Sequence, residues 1–217
     1  MSDRGVALIL VLLVMMTLSA LAMSLALLVS TESRVAANYR DGIETMYAAE
    51  AALERVLPDL AAESDFTRVL TGASVSSFID GPAGLRRLPD GTFTGLPALT
   101  SMLNCERAVC SDVSLDQVRE ERPWGQNNPR WQLYGYGSVA SPGDSRLYAV
   151  VWVADDPSEN DGQPLVDGDD TAGQNPGRGR LSVIAHAYGP ATRRVLAATI
   201  ARDEHGTRVL SWRFENQ

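Results

Sequence analysis

The sequence has few of the residues that usually carry out catalysis. Its 217 residues include two histidines and two cysteines, and it contains no G-x-S-x-G, no H-E-x-x-H and no glycine-rich phosphate loop. Lys and Arg number 19 against 27 Asp and Glu, a formal charge of -8. Nucleic-acid binding needs clustered cations, so we expect no nucleic-acid partner. We also expect that the protein is not an enzyme.

One long hydrophobic segment lies at the N-terminus. From Val6 to Val29 the chain has no charged residue, glycine or proline, which is enough apolar length to cross a bilayer as a helix. Three interpretations fit these residues alone. The segment is a secretory signal peptide cleaved after Ala22, an uncleaved signal anchor, or the start of a mature chain that follows a leader cut at Gly5.

The apolar periodicity continues past this segment at helical spacing. The recurring residues are Val35, Tyr39, Ile43, Met46, Leu53 and Leu57. No proline interrupts the chain before Pro58. We therefore predict one helix up to Leu57, with residues 6–29 in the membrane and residues 30–57 forming an amphipathic half under a soluble domain.

Three stretches of this region together resemble the N-terminus of PilX-type minor pilins of type IV pili. They are RGVALILVLL, TESRVAANYRDG and YAAEAALERVL, between Arg4 and about Leu57. The same start is similar to the K-type minor pseudopilin of type II secretion. In both families a prepilin peptidase cuts after the glycine, here Gly5, and the new N-terminal residue, here Val6, is N-methylated. The resemblance thus implies a leader of residues 1–5.

Leu10 departs from the pattern of major pilins, which carry a glutamate at this position of the mature chain. In those families the glutamate is thought to neutralise the terminal amine of a neighbouring subunit. An unpaired carboxylate in lipid is costly, so a subunit with no neighbour above it has no use for one. Leu10 therefore suits a tip or initiating subunit. The alternative is that it simply belongs to an apolar anchor.

The C-terminal half has the composition of short strands. Stretches rich in β-branched and aromatic residues alternate with turn formers. The predicted strands cover residues 131–140, 146–154, 180–188, 193–202 and 208–214. We expect an antiparallel meander packed on the second half of the helix, which is an α+β, type IV pilin-like domain over residues 58–217. Residues 72–103, rich in turn signals, are expected to be irregular with one short strand.

Two further features bear on sites. Cys105 and Cys110 are separated by four residues, and a close pair in an exported chain predicts a disulfide. Residues 155–179 form an acidic loop without apolar periodicity, and calcium prefers oxygen ligands of this kind. The candidate calcium ligands are Asp155, Asp156, Asn160, Asp161, Asp167, Asp169 and Asp170. A solvated loop without metal is the alternative, and we expect no other cofactor.

The histidines and aromatic residues favour ordinary structural roles. His186 lies in a predicted strand, where a half-buried core histidine is expected, and His205 lies in a turn. Most aromatic residues between Trp124 and Trp212 occur at strand spacing, which predicts core positions. An exposed aromatic patch is the alternative.

The residues and the resemblance together predict a structural minor pilin that primes or caps a type IV pilus. Its expected partners are other minor pilins, the major pilin, the prepilin peptidase and the inner membrane, with a tip adhesin as a further possibility. The globular domain would be periplasmic and then extracellular, with the N-terminus cytoplasmic. The alternatives are a surface-binding tip adhesin and a minor pseudopilin of type II secretion.

Overall fold

The computed structural model describes residues 3–123, 125–139, 146–159, 161–168, 178–203 and 206–215. The chain divides into two compact units, Met1–Arg40 and Asp41–Gln217. Helix α1 (Asp3–Ala62) begins in the first unit and ends in the second. The prediction of one long N-terminal helix is confirmed.

In the first unit, α1 exposes every residue from 6 to 40. Among the described residues, this is the one helix whose length and composition would allow it to cross a membrane. The exposure includes Val35 and Tyr39, which are 63% and 72% accessible. Packing of these two residues under the soluble domain stays a prediction.

In the second unit, α1 buries a face made mostly of small side chains. Its buried residues are Thr45, Ala48, Ala49, Ala52, Leu53, Val56 and Leu60. The larger Ile43 and Met46 are only half-buried. Small residues let a helix backbone approach the surface on which it packs, which explains why alanines make up so much of this contact.

The helix also ends later than predicted. It continues through Pro58 to Ala62, although a proline lacks the N–H that would bond to the carbonyl four residues earlier. Two contacts beyond the proline favour the extra turn. Leu60 is completely buried, and the Asp59 carboxylate accepts hydrogen bonds from Ser76 and Ser77.

Five antiparallel strands form the main sheet in simple meander order. They are β3 (Gln132–Ser138), β4 (Tyr148–Asp155), β5 (Arg180–Tyr188), β6 (Arg193–Asp203) and β7 (Gly206–Glu215). All five predicted strands are present, within three residues of the predicted bounds. Together with α1 they give the expected α+β, pilin-like layout.

The sheet is covered on both faces around β4. On one face Val151 and Val153 pack with α1, and on the other Val150 and Trp152 pack with residues of helix α3 (Leu96–Cys105). Every residue of β4 is buried as a result. A strand covered on both faces shows a continuous apolar run rather than alternation, and the sequence YAVVWVA has that character.

The region before β3 contains several regular elements. It contains helix α2 (Thr67–Leu70), the antiparallel hairpin of β1 (Leu85–Arg87) and β2 (Phe93–Gly95), helix α3, helix α4 (Asp112–Glu121) and a 3-10 turn at Gly125–Asn127. The prediction of an irregular stretch over residues 72–103 is wrong. Pro97 does not end a helix here but lies in the first turn of α3, where proline is well tolerated.

Candidate functional site

The processing residues lie at the start of α1. Gly5 and Val6 follow closely on Asp3, where the helix begins, and Val6 and Leu10 are both exposed. An apolar Leu10 suits a lipid environment, where a lone carboxylate at the bilayer centre would cost about 2.5–3.5 kcal/mol. Cleavage after Gly5, methylation of Val6 and an assembly role of Leu10 stay predictions.

Two of the three hydroxyl groups of the apolar segment 6–29, those of Thr17 and Ser24, are hydrogen-bonded within the helix. Thr17 donates to the Val14 carbonyl at 2.8 Å, and Ser24 donates to the Ala20 carbonyl at 2.8 Å. Thr31 does the same to Leu27 at 2.9 Å. A polar group that enters lipid needs such a partner, so these side chains do not oppose burial of the segment in a membrane.

A second candidate site is the contact between α1 and the turn that joins β5 to β6. The Asp41 carboxylate accepts a hydrogen bond from the Ala191 backbone N–H at 2.8 Å. The Thr45 and Thr192 hydroxyls are 2.8 Å apart, and Thr45 donates to the Asp41 carbonyl at 2.7 Å. These residues attach the helix to the sheet. Sequence analysis missed them because their partners are about 150 residues away.

The acidic loop begins with a buried pair of carboxyl groups. Asp155 and Glu159 are 4% and 1% exposed, and their side chains are hydrogen-bonded to each other. Burial, followed by the hydrogen bond and the charge of Glu159, raises the pKa of Asp155 far above its ordinary value of 3.8. Two such groups share a proton more readily than they carry two charges. The i,i+4 spacing of the two acids was a signal that sequence analysis did not use.

The other described acids of the loop serve its local structure. Asp156 accepts hydrogen bonds from the Ser158 backbone N–H at 2.8 Å and from its hydroxyl at 2.6 Å, and Asp161 accepts from Gln163 N–H at 2.7 Å. Asp167 is paired with Arg202 at 3.4 Å.

Three of the predicted calcium ligands, Asn160, Asp169 and Asp170, lie outside the described residues. Within the described part of the chain, no three His, Cys, Asp or Glu side chains are placed to hold a metal ion together. Calcium binding by the loop stays a prediction.

The two cysteines are joined as the sequence predicts. Cys105, the last residue of α3, forms a disulfide with Cys110, and their Cα atoms are 5.9 Å apart. Cys105 is buried, so the bond attaches the segment before α4 to the end of α3. A loop this short contributes less to stability than a long one would.

His186 and most of the aromatic residues occupy core positions. His186 lies edge-on to Trp152, with ring centres 4.9 Å apart, and burial followed by the charge of Arg193 lowers its pKa to about 4. The buried aromatics of the sheet are Tyr134, Tyr136, Tyr148, Trp152 and Tyr188. Trp212 on β7 departs from this pattern, with 58% of its surface exposed. Trp124 and His205 lie outside the described residues.

Comparison with known protein families gives one match. Residues 4–54 match the family model described as PilX N-terminal. This N-terminal quarter of the chain is similar to PilX-type pilins. A search of curated proteins and a search of solved structures each found no match. The PilX N-terminal segment covers the exposed apolar part of α1 and most of the helical face that packs on the sheet. It fits a pilin anchored by a single apolar helix.

Proposed function

We propose that this protein is a minor pilin that primes or caps a type IV pilus. The observation that carries the proposal is the PilX N-terminal segment, whose exposed apolar part has Leu10 at the position where, by the resemblance, major pilins carry a glutamate. A subunit without that carboxylate cannot neutralise the amine of a neighbour above it. Such a subunit is suited to the tip of the filament, where no further subunit lies above it.

The proposed life of the protein follows from this role. A prepilin peptidase removes residues 1–5 at the inner membrane, and the chain is held there by its apolar helix with the globular domain in the periplasm. It then joins other minor pilins and the major pilin. Packing between the N-terminal helices holds these subunits together. No catalytic step is needed.

Immunogold labelling of an epitope-tagged chain tests the proposal. We expect label at one filament end, at about one copy per filament, and loss of filaments when the gene is deleted. Label scattered along the shaft would contradict the proposal. Normal filaments that fail to attach to surfaces after deletion would indicate a tip adhesin instead.

The substitution Leu10→Glu tests the argument about the missing carboxylate. For a tip subunit we expect no gain in assembly, or a loss, because the new carboxylate has no amine to meet in lipid. Leu10→Ala is the matched control, since it changes the same position without adding charge. A gain of incorporation along the shaft with Leu10→Glu would show that the position receives a neighbour.

A further inference from the structure

The two edges of the main sheet differ in whether the chain covers them. Along β3, Ser76 donates its N–H to the Tyr134 carbonyl at 2.9 Å, and Tyr136 donates its N–H to the Phe78 carbonyl at 2.6 Å. Residues 76–79 therefore run beside β3 like an added strand, and Ile79 forms a parallel bridge with Tyr136. Along the outer edge of β7, no described residue forms such backbone hydrogen bonds.

At the β3 edge, the space between α1 and the sheet is filled by a large apolar side chain. Phe78 is 8% exposed and belongs to the core that α1 forms with the sheet. Arg55, from α1, lies over its ring at 5.2 Å. One extended segment thus supplies both backbone hydrogen bonds and a large apolar side chain that fills the gap.

The same gap at the β7 edge is an open groove of about 340 Å³. Leu53 and Leu57 of α1 line one side, and Val209 and Trp212 of β7 line the other. We call this the β7 groove. Its most exposed aromatic is Trp212, whose ring meets Phe214 edge-on at 5.7 Å. An apolar groove beside an unpaired strand is the arrangement that strand addition uses.

Two carboxylates also line the β7 groove. Glu50 and Glu54 are four residues apart on α1, so they share a helix face, and like charges at this spacing destabilise a helix slightly. Neither makes an ion pair with any residue that the structure describes. The groove therefore favours an occupant that carries a cation.

We propose that the β7 groove binds an extended segment of a partner protein, which adds a strand to β7. The segment places one large apolar side chain against Trp212 and one lysine or arginine beside Glu50 and Glu54. Such a segment would pair with β7 through backbone hydrogen bonds, as residues 76–79 pair with β3. The β7 groove is present in the globular domain whether or not the protein joins a filament.

A second copy of this chain is a poorer occupant. The residues of β7 that face α1 are Val209, Trp212 and Phe214, and none of them is cationic. Two β7 edges paired with each other would bring no positive charge to Glu50 and Glu54 from this face. The charge pattern thus favours a different chain.

Binding of synthetic peptides to the full chain in lipid nanodiscs tests the proposal. The probe is a fluorescent peptide of alternating threonine and valine, with one phenylalanine and one lysine. A peptide of the same composition with proline at alternate positions is the control, because proline removes the N–H groups that strand pairing requires. We expect saturable binding of the first peptide and at least about 10-fold weaker binding of the second.

Variants of the chain then locate the site. Trp212→Ala should weaken binding by about 10-fold or more, as expected for an aromatic anchor. Glu50→Gln with Glu54→Gln should weaken it about 3- to 10-fold and remove most of its salt dependence. The matched controls are Phe93→Ala, an equally exposed aromatic on β2, and Glu120→Gln on α4, which should change binding less than 2-fold.

Three results would overturn the proposal. They are no binding at millimolar peptide, equal binding of the proline peptide, and equal effects of the groove and control variants. Sedimentation of the chain gives a fourth. A dimer that Trp212→Ala converts to a monomer would show that a second copy fills the groove.

Discussion

Gly189, in the turn between β5 and β6, faces the Thr45 hydroxyl of α1 so closely that a methyl group at residue 189 would overlap it. The same hydroxyl lies 2.8 Å from that of Thr192. Absence of a side chain at residue 189 is therefore what lets the turn close onto the helix.

We expect Gly189→Ala to lower the free energy of unfolding by about 1–3 kcal/mol, the usual cost of overpacking. Urea denaturation followed by tryptophan fluorescence measures it. Gly84→Ala is the control, because its nearest neighbours would be 3.9 Å from the added carbon. In a Thr45→Ala background the loss should shrink, since the overlapping oxygen is gone. An unchanged loss there would contradict the steric explanation.

Asp155 should make the domain less stable as the pH rises. Its pKa is raised in the folded state, so its contribution is complete below the ordinary value of 3.8 and is lost progressively above it. Asp155→Asn mimics the protonated form. We expect a higher urea midpoint for the variant at pH 8 and little difference at pH 4.

Glu120→Gln, at an exposed position, controls for the removal of one charge and should show no such pH-dependent gain. A lower midpoint for Asp155→Asn at pH 8 would contradict the protonated pair. Calcium can be added in the same measurement. If the loop binds it as the sequence predicts, calcium raises the midpoint of the wild-type chain but not that of Asp155→Asn.

His186 should make the domain sensitive to mild acid. Its pKa is lowered to about 4, so it stays neutral in the folded chain while the unfolded chain takes up a proton near the ordinary value of 6.5. Stability is therefore complete above pH 6.5 and falls as the pH drops towards 4. We expect His186→Gln to reduce the stability difference between pH 7 and pH 4.5 by about 1–3 kcal/mol. Thermal melts at the two pH values measure it, and an unchanged difference would show that other groups cause the acid sensitivity.

Gly5 should be required for maturation, because the resemblance places the prepilin peptidase cut directly after it. Gly5→Ile should leave the leader on the chain, whereas mass spectrometry of the wild type should find methylated Val6 at the N-terminus. Ala22→Val is the control, since it removes the small residue that an ordinary signal peptidase would need. A mature wild-type chain beginning at Met23 would overturn this expectation.

The strands were predictable from the sequence because their signals are local. YAVVWVA and RLSVIAHAY contain β-branched and aromatic residues between turn formers, and both form strands within a residue or two of the expected bounds. The long helix was predictable for the same reason.

The buried face of α1 was not predictable, because it depends on which residues can approach the sheet. Ile43 and Met46 have the right spacing but are only half-buried, while Ala49 and Ala52 are completely buried. The covering of β3 likewise depends on the Asp59 carboxylate, which accepts hydrogen bonds from the Ser76 hydroxyl at 2.5 Å and the Ser77 N–H at 2.7 Å. No local sequence pattern predicts this contact. Long-range contacts of this kind decide where the β7 groove lies.

The hydrogen bond between Asp41 and Ala191 also has a consequence for how the protein is made. Its two residues are separated by 150 positions, so the ribosome has to add most of the chain after α1 before the partner exists. At about 5–20 residues per second this takes roughly 8–30 seconds. Until synthesis reaches residue 180, the alanine face of the helix has none of its final neighbours from β5 and β6. The domain therefore completes its fold late in synthesis or after it.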